Sequence, residues 1–460
     1  MLSTFANTFR VPELRKRILI TAGIVFVSRL ISMIPTPGVD WKTLQDALTH
    51  ARETAGGGGG LMDWLNVFSG GALNTCAIGT LSIWPYISAS IIIQLLTAVI
   101  PTLGRLSREG ETGRATIAQY TRYLAIVICV FQAGALAGTL QNPGALRLNA
   151  QIVSNPGVAF TLSTIICITA ASLFVMWLAD QITQRGIGNG ASVIIMINIT
   201  SRLPVAIIEA WQRYFGLSGN EAEESPVQLI ILLALGFAVL MGTVMLTQGL
   251  RKVPIHSTRR STGSGRAFSG GMQQTYMPLR VNYSGVMPII FAGPLITLPS
   301  ALLARIPIEI TWLKGVRWIG VKLGDMTSPL HLVVYALLIM FFAFFWVATQ
   351  FNAVQISDNL KRDGSYVPGI RPGRATAEYL DALMTRVTLI GGTALLVIAL
   401  LPQLLRGMLK VPWEMASFFG GTSLLIIVGV ALDTLRQMES HLLMRNYDGF
   451  LKHGRLRGRK

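Results

Sequence analysis

Long stretches without a charged residue recur along this chain of 460 residues. No Asp, Glu, Lys or Arg occurs between Asp63 and Arg105, which leaves 41 uncharged positions. A membrane-spanning helix needs only about 20 apolar residues. A second block, "TIICITAASLFVMWL" from Thr164 to Leu178, is also uncharged. Buried helices of a large soluble protein would keep a charged outer face, which these blocks lack. The sequence therefore predicts a polytopic membrane protein.

The lengths of the apolar blocks predict an all-α fold. Only 13% of the residues are charged, whereas soluble domains average about 25%. Blocks of suitable length indicate about ten transmembrane helices. Their approximate positions are 18–36, 76–101, 118–140, 159–180, 188–210, 227–248, 284–305, 329–351, 384–404 and 416–435. The N-terminal sequence lacks the pattern of a removable signal peptide, so none is expected.

Lys and Arg are distributed unevenly over the predicted loops. With the N-terminus inside, the termini and even-numbered loops carry 27 of the 39 Lys and Arg residues, and the odd-numbered loops carry 11. Cytoplasmic loops of membrane proteins hold the basic excess. Both termini are therefore predicted to be cytoplasmic. Most of the basic residues behind the net charge of +17 are predicted to lie on that side of the membrane.

Two predicted cytoplasmic loops, 249–283 and 353–383, are longer than a connection requires, and loops beyond about 12–15 residues are usually functional or disordered. The segment "RRSTGSGRAFSGG" is expected to be flexible, whereas Pro and Gly in "DNLKRDGSYVPGIRPG" predict a defined shape. Their basic surface fits an acidic partner such as ribosomal RNA or an anionic protein face, with anionic lipid as the alternative. The basic residues are Arg251, Lys252, Arg259, Arg260, Arg266 and Arg280 in the first loop and Lys361, Arg362, Arg371 and Arg374 in the second.

The predicted spans lack the groups that pumps and enzymes use. Arg29 is the one charge near the centre of a span, whereas ion-coupled transporters usually carry several buried ionisable residues. No phosphate-binding loop, zinc motif or activated nucleophile is present. The glycine-rich "RGIGNGAS" follows no strand and is interpreted as a tight turn before the fifth span. Cys76, Cys129 and Cys167 have no metal-ligand spacing and are interpreted as small apolar fillers. Neither enzymatic activity nor a cofactor or metal is expected.

Pairs of residues four apart share a helix face on two predicted spans. Ile83 and Ile87 form such a pair on the second span, and Ala191 and Ile195 form one on the fifth. In a membrane this spacing ordinarily reflects packing. A narrow apolar constriction can also close a channel by excluding water, and the spacing alone leaves both interpretations open.

Six motifs, in order from Phe68 to Val430, resemble the SecY family, the channel subunit of the bacterial protein-translocation complex. They are "FSGGAL", "PYISASIIIQLL", "GETGRATIAQYTRY", "QITQRGIGNGAS", "VPGIRPG" and "FGGTSLLIIVGV". The resemblance implies ten transmembrane helices in two pseudo-symmetric halves of five that form an hourglass pore. The halves would comprise residues 1–218, with helices 1–5, and 219–460, with helices 6–10, both basic loops and a basic tail.

The resemblance also implies a plug, a short half-helix near residues 64–74 that folds back into the external funnel. The matching residues are Asn66, Phe68, Ser69, Gly70, Gly71, Ala72 and Leu73. Two adjacent glycines suit a segment that must swing out, because glycine lowers the barrier to backbone rearrangement. The alternative is an external loop lying on the membrane surface. The run "TAGGGGG", residues 54–60, departs from the family and is interpreted as a flexible tether.

Further site residues follow from the resemblance, position by position. A lateral gate would lie between helices 2–3 and 7–8, where polar groups normally form interhelical hydrogen bonds. Ala191 is smaller than the residue usual at its ring position. The pore ring falls on Ile83, Ile87, Ala191, Ile195, Ile290 and Ile426, and the gate on Ser88, Gln94, Thr121, Asn282 and Leu298.

The implied function is passive conduction of unfolded secretory polypeptides across the bacterial cytoplasmic membrane, with lateral release of hydrophobic segments into lipid. The implied partners are the small membrane subunits SecE and SecG, the motor ATPase SecA and the ribosome. Arg371 in "GIRPG" matches an arginine that engages the motor. The alternative is an ion-coupled secondary transporter, since such proteins also contain inverted repeats and broken helices. The absence of midplane carboxylates from the sequence argues against it.

Overall fold

A computed structural model describes residues 11–46, 66, 69–142, 152–215, 226–257, 275–304, 314–409, 415–416, 418 and 421–453. These residues are mostly helical and divide into two compact units. The first unit holds the described residues of Met1–Leu229, Val411–Phe418 and Ile426–Lys460, and the second holds those of Ile230–Lys410 and Phe419–Leu425.

The first unit is a bundle in which α2 packs on α4, α4 on α5, and α5 on α1 and α6. Its helices are α1 (Pro12–Ile31), α2 (Trp84–Val99), α3 (Pro101–Arg108), α4 (Glu111–Gln141), α5 (Val158–Arg185), α6 (Gly190–Thr200) and α7 (Leu203–Phe215). Cys129 and Ala133 pack against Ile168 between α4 and α5. Such small side chains let membrane helices approach closely, which fits the interpretation of Cys129 as a filler.

The second unit combines helices with a small sheet. Its elements are α8 (Pro226–Gln248), β1 (Leu250–Ser257), β2 (Thr275–Arg280), α9 (Met287–Ala304), α10 (Lys314–Gly324), α11 (Pro329–Gln350), α12 (Ala353–Arg362), β3 (Ser365–Tyr366) and α13 (Arg374–Leu409). The last helix, α14 (Thr422–His453), begins in this unit and continues in the first. The core of the unit includes the buried residues Ile296, Ile339, Leu395 and Leu425.

Six helical segments of the described chain are long and apolar enough to cross a membrane, and a seventh is formed if the bent pair Trp84–Val99 and Pro101–Ser107 counts as one span. The prediction of a helical multi-span membrane protein is confirmed, and the count of ten stays a prediction. Two boundaries differ from expectation. The second span is helical only from Trp84, because turns precede it, and α1 begins at Pro12, before the apolar block.

The glycine-rich turn is confirmed as the connection from α5 to α6. Asn189 caps α6 by accepting from the backbone N–H of Ser192 at 3.3 Å. The backbone N–H of Gly188 donates to Oε1 of Gln437 at 2.9 Å, and that of Ile187 donates to Oγ1 of Thr21 at 3.1 Å. The turn is therefore tied to α1 and to α14. A Cβ at Gly186 would collide with Oγ1 of Thr21 and with the carbonyl of Ile182, which explains a glycine there without a bound nucleotide.

Gly190→Ala is expected to destabilise the protein. A Cβ at Gly190 would collide with the backbone carbonyl of Ala179, and overpacking of this kind costs about 1–3 kcal/mol. Thermal unfolding of the purified protein in detergent measures the effect. Gly138→Ala is the control, because a Cβ there meets nothing within 4 Å. Equal midpoints for both variants would contradict the prediction.

Candidate channel and plug site

The segment that matches a plug is described at Asn66 and from residue 69 onward. Asn66 is helical, and residues 69–83 form turns. The half-helix expected near residues 64–74 lies largely outside the described residues and stays a prediction. Gly70 and Gly71 have φ values of +68° and +91°. Left-handed residues cannot continue a right-handed helix, and glycine adopts this conformation most readily. The backbone N–H of Gly71 instead closes a turn on the carbonyl of Asn66 at 2.9 Å.

The described residues of this segment are mostly buried within the first unit. Asn66, Ser69 and Ala72 are 1%, 3% and 1% exposed. Phe68 and the glycine run 54–60 lie outside the described residues. Both polar side-chain atoms of Asn66 are buried and have no hydrogen-bond partner among the described residues. A buried unsatisfied polar group costs about 1–3 kcal/mol, so Asn66 lowers the stability of the buried position.

Arg29 of α1 contacts this segment directly. Its Nη2 donates to the carbonyl oxygen of Gly70 at 3.1 Å, and its Nη1 donates to Oδ1 of Asn198 on α6 at 3.2 Å. Nδ2 of Asn198 in turn donates to Oγ of Ser82 at 3.0 Å. A chain of polar contacts thus joins α1, α6 and both ends of the turn segment.

The sequence does not predict this polar cluster. Arg29 is the one charge near the centre of a predicted span, but nothing in the sequence links it to the plug. The signal was present, because an ionisable residue at membrane depth is by default a candidate functional residue. Its partners Gly70 and Asn198 lie 41 and 169 residues away along the chain, so sequence spacing could not identify them.

A second anchor holds the downstream part of the segment to the chain after α1. The backbone N–H and Oγ1 of Thr36 both donate to the carbonyl oxygen of Cys76, at 3.0 and 2.6 Å. The backbone N–H of Ile78 donates to the carbonyl of Ile34 at 2.8 Å. The downstream part is therefore held by backbone pairing, whereas Arg29 binds the upstream part through a side chain.

The five isoleucines of the predicted pore ring are buried, at 2–8% exposure, and Ala191 is half-buried. Ile83 immediately precedes α2 and Ile87 lies one turn further on, so both face one side. Ala191 and Ile195 have the same relation on α6. Burial of these side chains is consistent both with ordinary helix packing and with lining of a closed pore. The pore ring therefore stays a prediction. The first unit contains Ile83, Ile87, Ala191, Ile195 and Ile426, and the second contains Ile290.

The predicted gate residues make local hydrogen bonds, where interhelical bonds were expected. Nε2 of Gln94 donates to Oγ of Ser90 at 3.2 Å, and Oγ1 of Thr121 donates to the carbonyl four residues earlier at 2.9 Å. Nδ2 of Asn282 donates to the carbonyl of Gly285 at 3.0 Å. Short polar side chains readily bond to their own segment. Ser88 is half-buried, and the side chain of Leu298 lies outside the described part.

The two basic loops contain regular structure that was not predicted. The three strands form an antiparallel sheet in the order β2-β1-β3, so β3 of the second loop pairs with β1 of the first. Val253, Leu279, Val367 and Leu380 pack in one buried cluster beneath it. We name residues 250–257, 275–280 and 353–380 the basic module.

The loop around Arg371 has a defined shape, as its Pro and Gly content predicted. Oγ1 of Thr376 donates to the carbonyl of Arg371 at 2.8 Å, and Oγ of Ser357 donates to that of Gly373 at 2.6 Å. The side chain of Arg371 is exposed on this fixed loop. The exposed basic residues of the module are Arg251, Lys252, Arg280, Lys361, Arg362, Arg371 and Arg374. Arg259, Arg260 and Arg266 lie outside the described residues.

The helical spans and the buried polar turn segment define a multi-pass membrane protein of the channel or transporter class. The sequence model of the SecY family matches residues 77–435. The protein translocase subunits SecY of Streptomyces coelicolor and Thermotoga maritima are 41% and 40% identical to this chain, over 98% and 100% of it and 100% of each relative. SecY of Escherichia coli K12 is 40% identical over 97% of this chain and 96% of the relative.

Solved structures agree on the fold. A protein-conducting channel matches with a TM-score of 0.63 at 18% identity, covering 93% of each chain, and canine Sec61 from a ribosome–channel complex matches with 0.60 at the same identity and coverage. The chain belongs to the SecY family. Its predicted function as a protein-conducting channel, and not an enzyme, is thereby confirmed, and the small-molecule transporter is not favoured.

Proposed function

We propose that residues 66–73 plug this protein-conducting channel at rest and leave the pore when a polypeptide enters. The burial of Asn66, Ser69 and Ala72 carries the proposal. Non-helical backbone at membrane depth is tolerated only inside protein or beside a water-filled cavity, which favours a plug over a loop on the membrane surface. A SecY channel with the same fold, with a TM-score of 0.62 at 18% identity, has a plug domain that stabilises its closed state and maintains a membrane seal.

The pore ring is proposed to act as a gasket around the moving chain. Apolar side chains at a constriction exclude water when the pore is empty and form no strong bond to a passing polypeptide. The ring would consist of Ile83, Ile87, Ala191, Ile195, Ile290 and Ile426. Hydrophobic segments would leave through the gate that includes Ser88, Gln94, Thr121, Asn282 and Leu298.

The basic module is proposed to bind SecA and the ribosome at the cytoplasmic side of a bacterial inner membrane, with both termini also cytoplasmic. Its exposed arginines and lysines suit acidic surfaces, and canine Sec61, which has the same fold, was solved in a ribosome–channel complex. SecE and SecG are the proposed small membrane subunits. Neither conduction nor plug movement requires a cofactor.

Transport by reconstituted vesicles tests the proposed function. Vesicles that contain the tagged protein with its co-purified small subunits, the motor ATPase, ATP and an unfolded secretory precursor should accumulate precursor that is protected from protease. Vesicles without the motor are the control. Absence of protected precursor, together with small-solute uptake coupled to an ion gradient, would favour the transporter alternative.

Gln94→Leu is expected to raise the hydrophobicity that a test segment needs for membrane insertion. Oε1 of Gln94 is buried and has no hydrogen-bond partner in the described part of the chain, and its removal stabilises apolar packing at the closed gate by about 1–3 kcal/mol. Asn282→Leu is less informative, because its amide also holds the turn to Gly285. Insertion of a graded series of segments measures the threshold. Ile92→Leu, on an exposed side of the same helix, is the control, and an equal threshold for both would show that Gln94 only packs.

A further inference from the structure

We propose that Arg29 is the latch that holds the plug in its resting position, acting through the carbonyl oxygen of Gly70. This inference rests on the proposed role of residues 66–73 as a plug. Arg29 is a positioning residue: it does not touch the transported polypeptide but sets how readily the plug leaves.

The guanidinium group of Arg29 joins a fixed partner to the plug segment. Its Nη1 is bound to Asn198 on α6, and its Nη2 is bound to Gly70. Asn198 is 2% exposed and also donates to Ser82, so it is held in place. One end of the arginine fork is therefore anchored in the helix bundle, while the other contacts the proposed plug.

The contact to Gly70 depends on the absence of a side chain there. A Cβ at Gly70 would collide with Nη1 of Arg29 and lie 3.0 Å from Oγ of Ser201 and 3.1 Å from Cα of Asn198. The left-handed φ of +68° at this residue is also readily adopted only by glycine. Both features allow the backbone of the plug to reach the cation.

The neighbourhood of Arg29 favours a bound plug. A hydrogen bond from a charged donor is stronger than one between neutral groups, and more so away from water. Arg202 repels Arg29, and the partial negative charge of the Gly70 carbonyl offsets this repulsion. Arg202 itself lies beside the next plug residue, since a Cβ at Gly71 would be 3.0 Å from its Nη1.

The same geometry makes the latch reversible. When the plug leaves, Arg29 keeps its bond to Asn198, and water in the opened funnel replaces the Gly70 carbonyl. The amide of Asn66, which has no hydrogen-bond partner among the described residues, opposes the latch, because it gains hydrogen bonds to water on release. Among the described residues, the Gly70 carbonyl is thus retained by the charged contact from Arg29 and by a longer hydrogen bond from Oγ of Ser201 at 3.5 Å, while the buried amide of Asn66 favours release.

Resting ion conductance in planar bilayers tests the latch. For Arg29→Met we expect an increase in open probability of about tenfold, which corresponds to about 1.4 kcal/mol. Arg29→Lys should fall between this variant and the parent, because lysine keeps the charge but lacks the fork that bridges two acceptors. Arg15→Met, at an exposed position of the same helix, is the matched control and should equal the parent.

The deletion of residues 66–73 separates a latch from a structural role. If Arg29 acts through the plug, Arg29→Met adds no leak to the deleted channel. An equal increase in both backgrounds overturns the latch and leaves the plug intact as a proposal. A deletion that does not leak overturns the plug itself and the latch with it. Gly70→Ala provides a second variant if Arg29→Met fails to assemble: it keeps the arginine, displaces the carbonyl and should leak, and a tight Gly70→Ala channel overturns the latch.

Discussion

Deletion of residues 66–73 is expected to produce a channel that conducts ions at rest. In the intact chain the described residues of this segment are mostly buried, and Gly70 is bound to Arg29. Its removal leaves the pore ring as the remaining seal. A ring closes by filling the constriction so that water is excluded, and Ala191 is three carbon atoms smaller than an isoleucine. The leak should therefore be clear, because the neighbours of a missing group relax only partly to fill its space.

Ala191→Ile is expected to reduce the leak of the deleted channel. Ala191 is half-buried on α6, one turn before the buried Ile195. A larger apolar side chain at this position would narrow the constriction and restore dewetting. Single-channel conductance of the parent, the deletion and the deletion with Ala191→Ile measures the effect.

The control for that substitution is Ala135→Ile, at an exposed position of α4, which adds the same volume away from the proposed ring. We expect the highest conductance for the deletion and for its Ala135→Ile derivative. The deletion with Ala191→Ile should conduct less, and the parent should conduct least. Equal leak with and without Ala191→Ile would show that residue 191 does not line the constriction.

Arg371→Glu is expected to block export driven by the motor ATPase while reducing ribosome-coupled membrane insertion less. The side chain of Arg371 is exposed, and its loop is held by bonds from Thr376 and Ser357 to backbone carbonyls. The Arg371→Glu substitution therefore reverses the charge at the surface and leaves the hydrogen bonds that shape the loop in place. Reversal places like charges opposite each other at the contact with an acidic partner, which costs several kcal/mol and predicts a fall in uptake of about tenfold or more.

ATP-driven uptake of a secretory precursor by reconstituted vesicles measures this effect. Lys361→Glu makes the same change of charge at another exposed position of the basic module and serves as the control. Equal inhibition by both variants would indicate a general effect of module charge, and normal uptake by Arg371→Glu would refute a role of Arg371 in motor binding.

Sequence by itself determined the class of the protein. Apolar blocks without charges are stable as membrane-spanning helices, because in lipid the backbone N–H and C=O groups must form hydrogen bonds with each other and a helix satisfies them within one segment. The motifs identified the family over most of the chain. Local chemistry also predicted the turn at 186–189, where Asn189 caps α6, and the fixed loop at Arg371, where Pro and Gly limit the backbone. Each of these features depends on residues close together in the chain.

Tertiary structure alone decided which distant groups meet. The bond from Arg29 to Gly70 spans 41 residues and that to Asn198 spans 169, and no periodicity encodes such a pairing. The same is true of β3, which pairs with β1 across more than a hundred residues. Gln94 is an example in which a predicted long-range contact is replaced by a local one. Its side chain could form an interhelical hydrogen bond, but it donates to Ser90 on its own helix. The chemistry of a side chain determines which kinds of group it can bind. Which partner it actually binds depends on the groups that helix packing places within hydrogen-bonding distance.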